Sequence, residues 1–380
     1  MKTSFKQNLC LGALILSMMV LTGQSITAQE KDVAEATIEI VKGDSAKRKS
    51  SFNAYPYVYY TPETNFAFGA GGIFIFYTGD SPELKPSKIG FGAMYSSSKQ
   101  YRFGINPKLY FFDSKLYIDM PLSYGYSVDK LFGVGPDTEE TGLETYTKKY
   151  FTASMTLQVP PVMFAADRTG IILDYDYTEI VDKRGNELLL NDSITGSNGG
   201  QSFGIGTDLV WDTRDNIFYP NSGGYQYFKI VVYPEFTDFT YSFMELDVRH
   251  FVSIVPKHII ATNFYVASTS GDAPFYKLPA LGGQKRMRGY FMGRYRDNFY
   301  MMLQAEYRHM FAKRFGFVFF GGVGNVSSHL MTYSFQNIKY SFGGGLRFMF
   351  NQKEKVNLRM DIGFGSDKNR GVYFGIEEAF

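Results

Sequence analysis

Few side chains in this chain are placed for covalent or metal chemistry. The four histidines, His250, His258, His309 and His329, are scattered, with no His-Glu-x-x-His spacing to bring two imidazoles around a metal ion. Gly196-Ser197-Asn198-Gly199-Gly200 misses the Gly-x-Ser-x-Gly spacing of a serine-hydrolase elbow. Nothing else sets a nucleophile beside a base. The single cysteine, Cys10, lies near the start, ahead of the body of the chain, which therefore offers no disulfide and no thiolate ligand. No catalytic residue, no cofactor and no metal site is expected. What the chain does carry is charge set at intervals inside apolar stretches, at Arg102, Lys108, Glu306, Arg308 and Arg359. An unpaired charge away from water is costly. These groups must face water or one another, and some architecture has to hold them there.

The N-terminus indicates the compartment. Lys2 and Lys6 precede an apolar stretch from Leu9 to Leu21, and small and polar residues follow to Ile26 and Ala28. That is the layout of a cleaved secretory signal peptide over residues 1–28, and the stretch is shorter than the roughly 20 residues of a spanning helix. Residues 29–52 are polar and charged and read as a disordered periplasmic linker. Once Lys2 and Lys6 are removed, 37 basic residues balance 37 acidic ones. A neutral chain is not a nucleic-acid binder, which would need a basic excess.

Composition then selects the class. Aromatic residues make up 17% of the chain and glycine occurs 39 times, yet mean hydropathy is only −0.18. A membrane β-barrel has this profile because only alternate residues meet lipid. From residue 53 to 380 the chain repeats stretches of about 9 to 15 residues with a period of two, broken by turn residues. Phe299, Met301, Leu303, Ala305 and Tyr307 alternate with Tyr300, Met302, Gln304, Glu306 and Arg308. Val356, Leu358, Met360, Ile362 and Phe364 alternate with Asn357, Arg359, Asp361 and Gly363. One face is apolar and the other wet. The expected fold is all-β: a transmembrane antiparallel β-barrel of about 16 strands, an even number as in bacterial barrels. With the N-terminus in the periplasm, turns such as 113–114 and 351–353 are short, and the external connections 130–145, 184–199 and 271–297 are long. The last strand is expected to run over 370–380 and to end on Phe380.

Two segments carry more information than the alternation. The first is Trp211-Asp212-Thr213-Arg214-Asp215-Asn216-Ile217-Phe218-Tyr219-Pro220-Asn221-Ser222-Gly223-Gly224, in which Asp and Asn can cap backbone amides while Pro220 and Gly223 supply turn geometry. The second is the long loop with Met287-Arg288-Gly289-Tyr290 at its tip, just before a strand bearing Gln304, Glu306 and Arg308. Together they resemble the BamA/TamA family of outer-membrane assembly and secretion proteins, in its bacterial surface antigen barrel domain. Phe132-Gly133-Val134-Gly135, Phe342-Gly343-Gly344-Gly345-Leu346-Arg347 and Leu358-Arg359-Met360-Asp361-Ile362-Gly363-Phe364 support the resemblance, which covers about residues 52 to 380. It implies that the sixth external loop folds into the lumen and that Arg288 docks on an inner-wall carboxylate, Glu306. The family's wall strand often reads Phe-x-Asp-x-Gly. Here Phe320-Gly321-Gly322-Val323-Gly324 puts glycine at the Asp position, which leaves Arg288 to rely on Glu306 alone.

The resemblance implies a barrel that helps insert or translocate envelope components, with the seam between first and last strands as its opening. Pro56, Gly371, Gly375 and Phe380 are the residues expected to weaken or close that seam. Residues 29–52 are too short for the periplasmic POTRA domains the family usually carries, so this is expected to be a member without them. The expected partners are outer-membrane lipid, unfolded outer-membrane protein clients and a periplasmic protein; oligomeric state is unread. The alternative reading is a passive outer-membrane pore or transporter, with which the inward charges are compatible.

Overall fold

The computed structural model describes residues 50–380 apart from 62–64, 81–83, 162–165 and 353–354. The expected signal peptide, with Cys10, and all but the last three residues of the expected linker lie outside the described residues, as does Lys353 of the expected turn 351–353.

The alternating stretches form strands, in chain order β1 (Ser51–Thr61), β2 (Asn65–Phe76), β3 (Ser87–Ser96), β4 (Tyr101–Phe111), β5 (Leu116–Asp119), β6 (Leu122–Lys130), β7 (Thr145–Val159), β8 (Arg168–Asp182), β9 (Gly199–Asp212) and β10 (Gly223–Tyr233). They continue with β11 (Tyr241–Val255), β12 (His258–Gly271), β13 (Ala280–Leu281), β14 (Tyr295–Arg296), β15 (Phe299–His309), β16 (Phe315–Ser327), β17 (Lys339–Asn351), β18 (Val356–Gly365) and β19 (Arg370–Ile376). Seventeen of them form one antiparallel sheet, and β13 pairs with β14 apart from it, inside the loop that joins β12 to β15. β5 and β6 are one stave, since β4 and β7 each pair with both. The stave is interrupted at Met120 and Pro121, where proline brings no N–H to the ladder. Sixteen staves result, as the alternation predicts. Successive staves pair in sequence from β1 to β19. β1 pairs with β2 and β19 with β18, and among the described residues no register runs between β1 and β19.

The period of two places lipid-facing and inward-facing residues as expected. Leu303, Phe319, Leu346 and Phe374 are each more than half exposed on the outside, whereas Glu306, Arg308 and Asp361 are about 1% exposed or less on the inside. A soluble sandwich would bury the first set. No helix among the described residues is long and apolar enough to cross a membrane. Strand length varies around the sheet. β7, β8 and β11 have 15 residues each, but β18 has 10 and β19 has 7.

At the near end, where β1 begins, tight turns follow β4, with Phe112, Asp113 and Ser114 all left-handed, and β11, with left-handed Lys257. The far end carries the longer connections 131–144, 183–198 and 272–298, the last being the sixth at that end. The last strand departs from expectation. β19 stops at Ile376, because left-handed Glu377 (φ 69°) turns the chain inward. Phe380 therefore lies off the seam and packs with Ala379 against Phe251 and Ala261, on the inner faces of β11 and β12.

Candidate functional site

The loop between β12 and β15 turns into the lumen because it is apolar on one side and the inner wall facing it is too. Leu281, Met287, Tyr290 and Tyr295 of the loop join Tyr265, Ala267, Tyr300, Met302 and Val326 of the wall in a buried cluster. The tip is shaped by left-handed backbone at Met287 (φ 48°) and Gly289 (φ 119°). A side chain at Gly289 would be strained by that φ and would bring a Cβ to 2.6 Å from the Phe364 carbonyl carbon. The wall reciprocates, since a Cβ at Gly363 would lie 2.7 Å from the Arg288 carbonyl carbon. Glycines at 289 and 363 thus set how closely the tip can approach β18.

Polar groups fix the tip in register. Gln304 accepts from the Met287 amide at 3.3 Å and donates to the Lys285 carbonyl at 2.9 Å. The Gly289 amide donates to the Tyr373 hydroxyl at 2.8 Å, and that hydroxyl donates to the Tyr290 carbonyl at 3.0 Å. Tyr290 donates to the Tyr340 carbonyl at 2.7 Å and also contacts the Ser366 hydroxyl. The tip thereby touches β15, β18 and β19 together with the start of β17.

Arg288 is 1% exposed and sits among charges. Its guanidinium pairs with Glu306 and, at 2.6 Å, with Asp361, and it lies 3.6 Å from the centre of the Phe320 ring. Reliance on Glu306 alone is therefore incorrect: Asp361, three staves away on β18, is a second partner. Its carboxylate has room because its neighbour across the ladder on β17, Gly345, carries no side chain: a Cβ there would lie 2.0 Å from Asp361 Oδ1. Glu306 also accepts from Arg308 Nε at 2.8 Å, and Asp361 also accepts from Arg347 at 2.6 Å and Arg359 at 2.9 Å. Arg347 continues to Glu378 at 2.7 Å, and Arg308 donates to the Phe380 main-chain oxygen at 2.9 Å. Four arginines thus meet three carboxylates in a buried lattice. Such a lattice adds little net stability over an apolar core, but removing one member strands the others. Gly322, at the family's Asp position, gives Met287 its room: a Cβ there would lie 3.2 Å from the Met287 sulfur and 2.9 Å from the Gln304 Cβ.

The near-end turn 213–222 is equally ordered. Asp212 holds Arg214 through two bonds of 2.7 and 2.8 Å. Asp215 accepts from the Asn221 amide and side chain and from the Ser222 amide. Although burial works the other way, those bonds keep the Asp215 carboxyl below the usual carboxylate range. Asn216 caps the Phe218 and Tyr219 amides, Pro220 follows, and Gly223 takes φ 94°. The turn also reaches inward, which the sequence did not suggest. Tyr219 packs on Ile259, Met310 and Met349, and its hydroxyl is pushed up by burial and then by the nearby Glu378. Phe218 lies 5.1 Å from the ammonium of Lys88, on the opposite wall at β3.

Of the residues expected at the seam, Pro56 is the sixth of eleven residues in β1 and is paired with Ala70, so it does not merely mark the strand start. Gly371 lies under the Tyr373 ring and Gly375 beside the Arg359 guanidinium. The far end is interlocked by charges the sequence reading did not single out: Arg294 donates to Thr138, and Arg296 donates to the Phe275 and Lys130 carbonyls. Among the described residues, no group of three or more His, Cys, Asp or Glu could hold a metal ion.

The Omp85 superfamily domain matches residues 85–380. Among solved structures, the chain is similar to BamA from Haemophilus ducreyi lacking POTRA domains 1-3, at 14% identity over 86% of this chain and 68% of that one, with a TM-score of 0.57. It is similar to CdiB from Acinetobacter baumannii at 10% identity over 86% of this chain and 59% of that one, with a TM-score of 0.54. At these identities the likeness speaks for the fold. A comparison with curated proteins found no match.

Proposed function

Because the chain belongs to the Omp85 superfamily, we propose that it assists the insertion or translocation of envelope components through the seam between β1 and β19. The superfamily places it among outer-membrane assembly and translocation barrels. The particular activity is our reading, and the pairing of the terminal strands carries it: each has a neighbour on one side, with no register between them among the described residues.

Strand length supports the same reading. At about 3.4 Å per residue and a tilt near 40°, the 7 residues of β19 span roughly 18 Å of membrane, whereas the 15 of β8 span roughly 39 Å. The first falls short of the apolar band of about 25 Å in such barrels and the second exceeds it. A bilayer meeting this barrel is thinnest on the β19 side of the seam, since the 11 residues of β1 span roughly 29 Å, and a client strand would enter there. The proline in β1 and the glycines in β19 lower the cost of parting the two edges. A passive pore accords less well with a lumen filled by a docked loop and crossed at the near end by Phe218 and Tyr219. In this reading Arg288, Glu306, Gln304 and Arg308 brace the barrel while the seam works, and the 212–223 turn holds the near end in shape.

The test is insertion of an unfolded β-barrel client into liposomes containing the purified barrel, scored as folded, protease-protected client. An unrelated barrel of similar size is the control. Acceleration over that control is expected. Equal rates, together with a large stable single-channel conductance, would replace this reading with that of a pore.

A further inference from the structure

Most inward glycines of this barrel have a visible reason. Tyr57 lies over Gly69, Tyr150 over Gly125, Tyr290 over Gly365 and Tyr373 over Gly371. Three on the wall of β3 and β4 do not. A Cβ at Gly90, Gly92 or Gly104 would meet only a neighbouring strand's carbonyl oxygen, at 3.7 to 3.9 Å, an ordinary contact. Among the described residues, no side chain fills the space these glycines leave. They are also neighbours, since Gly92 pairs with Gly104 and Gly90 with Asn106. Above them lies a cavity of about 250 Å³ bordered by Tyr57, Met94 and Arg102. That volume is below the roughly 300–1,000 Å³ of drug-sized sites, so it suits a single chain and not a folded segment.

The next inward position toward the near end is Lys88, which pairs across the ladder with Lys108. Like charges directly opposite one another are destabilising. Lys108 is matched by Asp119 at 3.2 Å, whereas Lys88 makes no ion pair among the described residues, the acids facing it being Glu377 and the already paired Asp119. Lys285, from the docked tip, adds a third ammonium. Burial and then the nearby Arg249 and Arg286 hold it below its usual value, with Glu377 opposing and Lys108 adding to the shift. An apolar, glycine-floored trough therefore runs into an excess of positive charge, and β1, which contributes Tyr57, is its border on the seam side.

We propose that this trough binds one membrane phospholipid inside the barrel, its phosphate between Lys88, Lys108 and Lys285 and an acyl chain along Gly90, Gly92 and Gly104. The charge excess selects an anionic headgroup, and the bare wall selects a chain in place of a second headgroup. Entry from the bilayer rests on the seam reading above, whereas occupancy itself does not. The site would make lipid, alongside any protein client, a species that the lumen handles.

The full chain in detergent micelles, given a photoactivatable phosphatidylglycerol, tests this by cross-link mapping. Cross-links are expected on the 87–96 and 101–111 segments. They should fall at least tenfold in Gly92→Leu and in a Lys88→Gln/Lys285→Gln double variant, with heat-modifiable electrophoretic mobility reporting that each barrel is folded. Gly104→Val serves if Gly92→Leu does not fold. Cross-links spread evenly around the outer surface and unchanged in these variants would overturn the proposal. So would cross-linking abolished by excess inorganic phosphate yet indifferent to Gly92→Leu, which would mark a site for phosphate alone. Client insertion is measured separately, so a wild-type chain that inserts client but gives no lipid cross-links on the 87–96 and 101–111 segments would sink this inference and leave the assembly reading standing.

Discussion

Replacing Arg288 with alanine should release the loop tip, and the size of the effect can be worked from its partners. Breaking a buried ion pair by removing one partner costs about 3–5 kcal/mol. Here Glu306 keeps Arg308, and Asp361 keeps Arg347 and Arg359, which puts the loss at the lower end, near 3 kcal/mol. The contact with the Phe320 ring, worth about 1 kcal/mol, is lost with the same guanidinium and is counted within that figure. A loss of 3 kcal/mol raises the population of undocked loop about 150-fold, at 1.4 kcal/mol per factor of ten. Lys285 and Arg286 remain as trypsin sites in the tip, and cleavage tracks the open population when reclosing is fast. Cleavage there should accelerate by about two orders of magnitude while strand content is unchanged. Charge counting adds a sharper test. Arg288→Ala leaves each of its carboxylates paired with another arginine, whereas Glu306→Gln takes a negative charge from both Arg288 and Arg308. Glu306→Gln should therefore accelerate cleavage more than Arg288→Ala does, and adding Arg288→Ala to it should partly restore protection. A cleavage rate within twofold of wild type in Arg288→Ala, or the opposite order of the two variants, would refute the reasoning.

Four further outcomes follow from the same geometry. Gly289→Ala should undock the tip as Arg288→Ala does, because it combines a left-handed φ with a 2.6 Å approach to Phe364, and tip proteolysis reads it. Gly322→Asp, which installs the family's residue, should crowd Met287 and Gln304 and raise tip cleavage instead of strengthening the dock. Tyr219→Ala should cost about 3–4 kcal/mol of barrel stability through lost packing on Ile259, Met310 and Met349; urea unfolding in micelles measures it, and Tyr219→Phe should be much milder. Asp215 has a lowered carboxyl pKa, so its contribution is complete above the ordinary carboxylate value near 4 and is lost as pH falls through the lower folded value. Thermal unfolding of Asp215→Asn should accordingly differ from wild type at pH 6 and converge with it in strong acid, and a constant gap across that range would contradict the assignment.

The fold was legible because alternation is a local property. Glu306 and Leu303 could be assigned to opposite faces from their own strand alone. The break between β5 and β6 turns on Pro121, and the inward turn after β19 turns on Glu377, which bears no glycine or asparagine to announce a left-handed residue. At the site, Arg288 and Glu306 could be joined because a motif links them across 18 residues. Asp361 was readable as inward-facing but not as a partner of Arg288. That contact depends on which staves lie side by side and on a bare Gly345 next to Asp361 on the neighbouring stave, neither of which is written near Arg288. The reach of Phe218 and Tyr219 across the near end was invisible for the same reason, since a turn's capping chemistry does not say which way its aromatic residues point.

The Tyr373 hydroxyl has a consequence beyond anchoring. It belongs to β19, and it both receives the Gly289 amide and donates to the Tyr290 carbonyl. The base of the same loop is bolted to the other half of the chain through Arg294 on Thr138 and Arg296 on Lys130. The loop is thus a crossbar with one end on the terminal strand and the other on the third far-end connection. If β19 swings, the bar must either shear its two bonds to Tyr373 or transmit the swing to residues 130–138. The terminal strand and the far-end cap are in that sense the two ends of one lever.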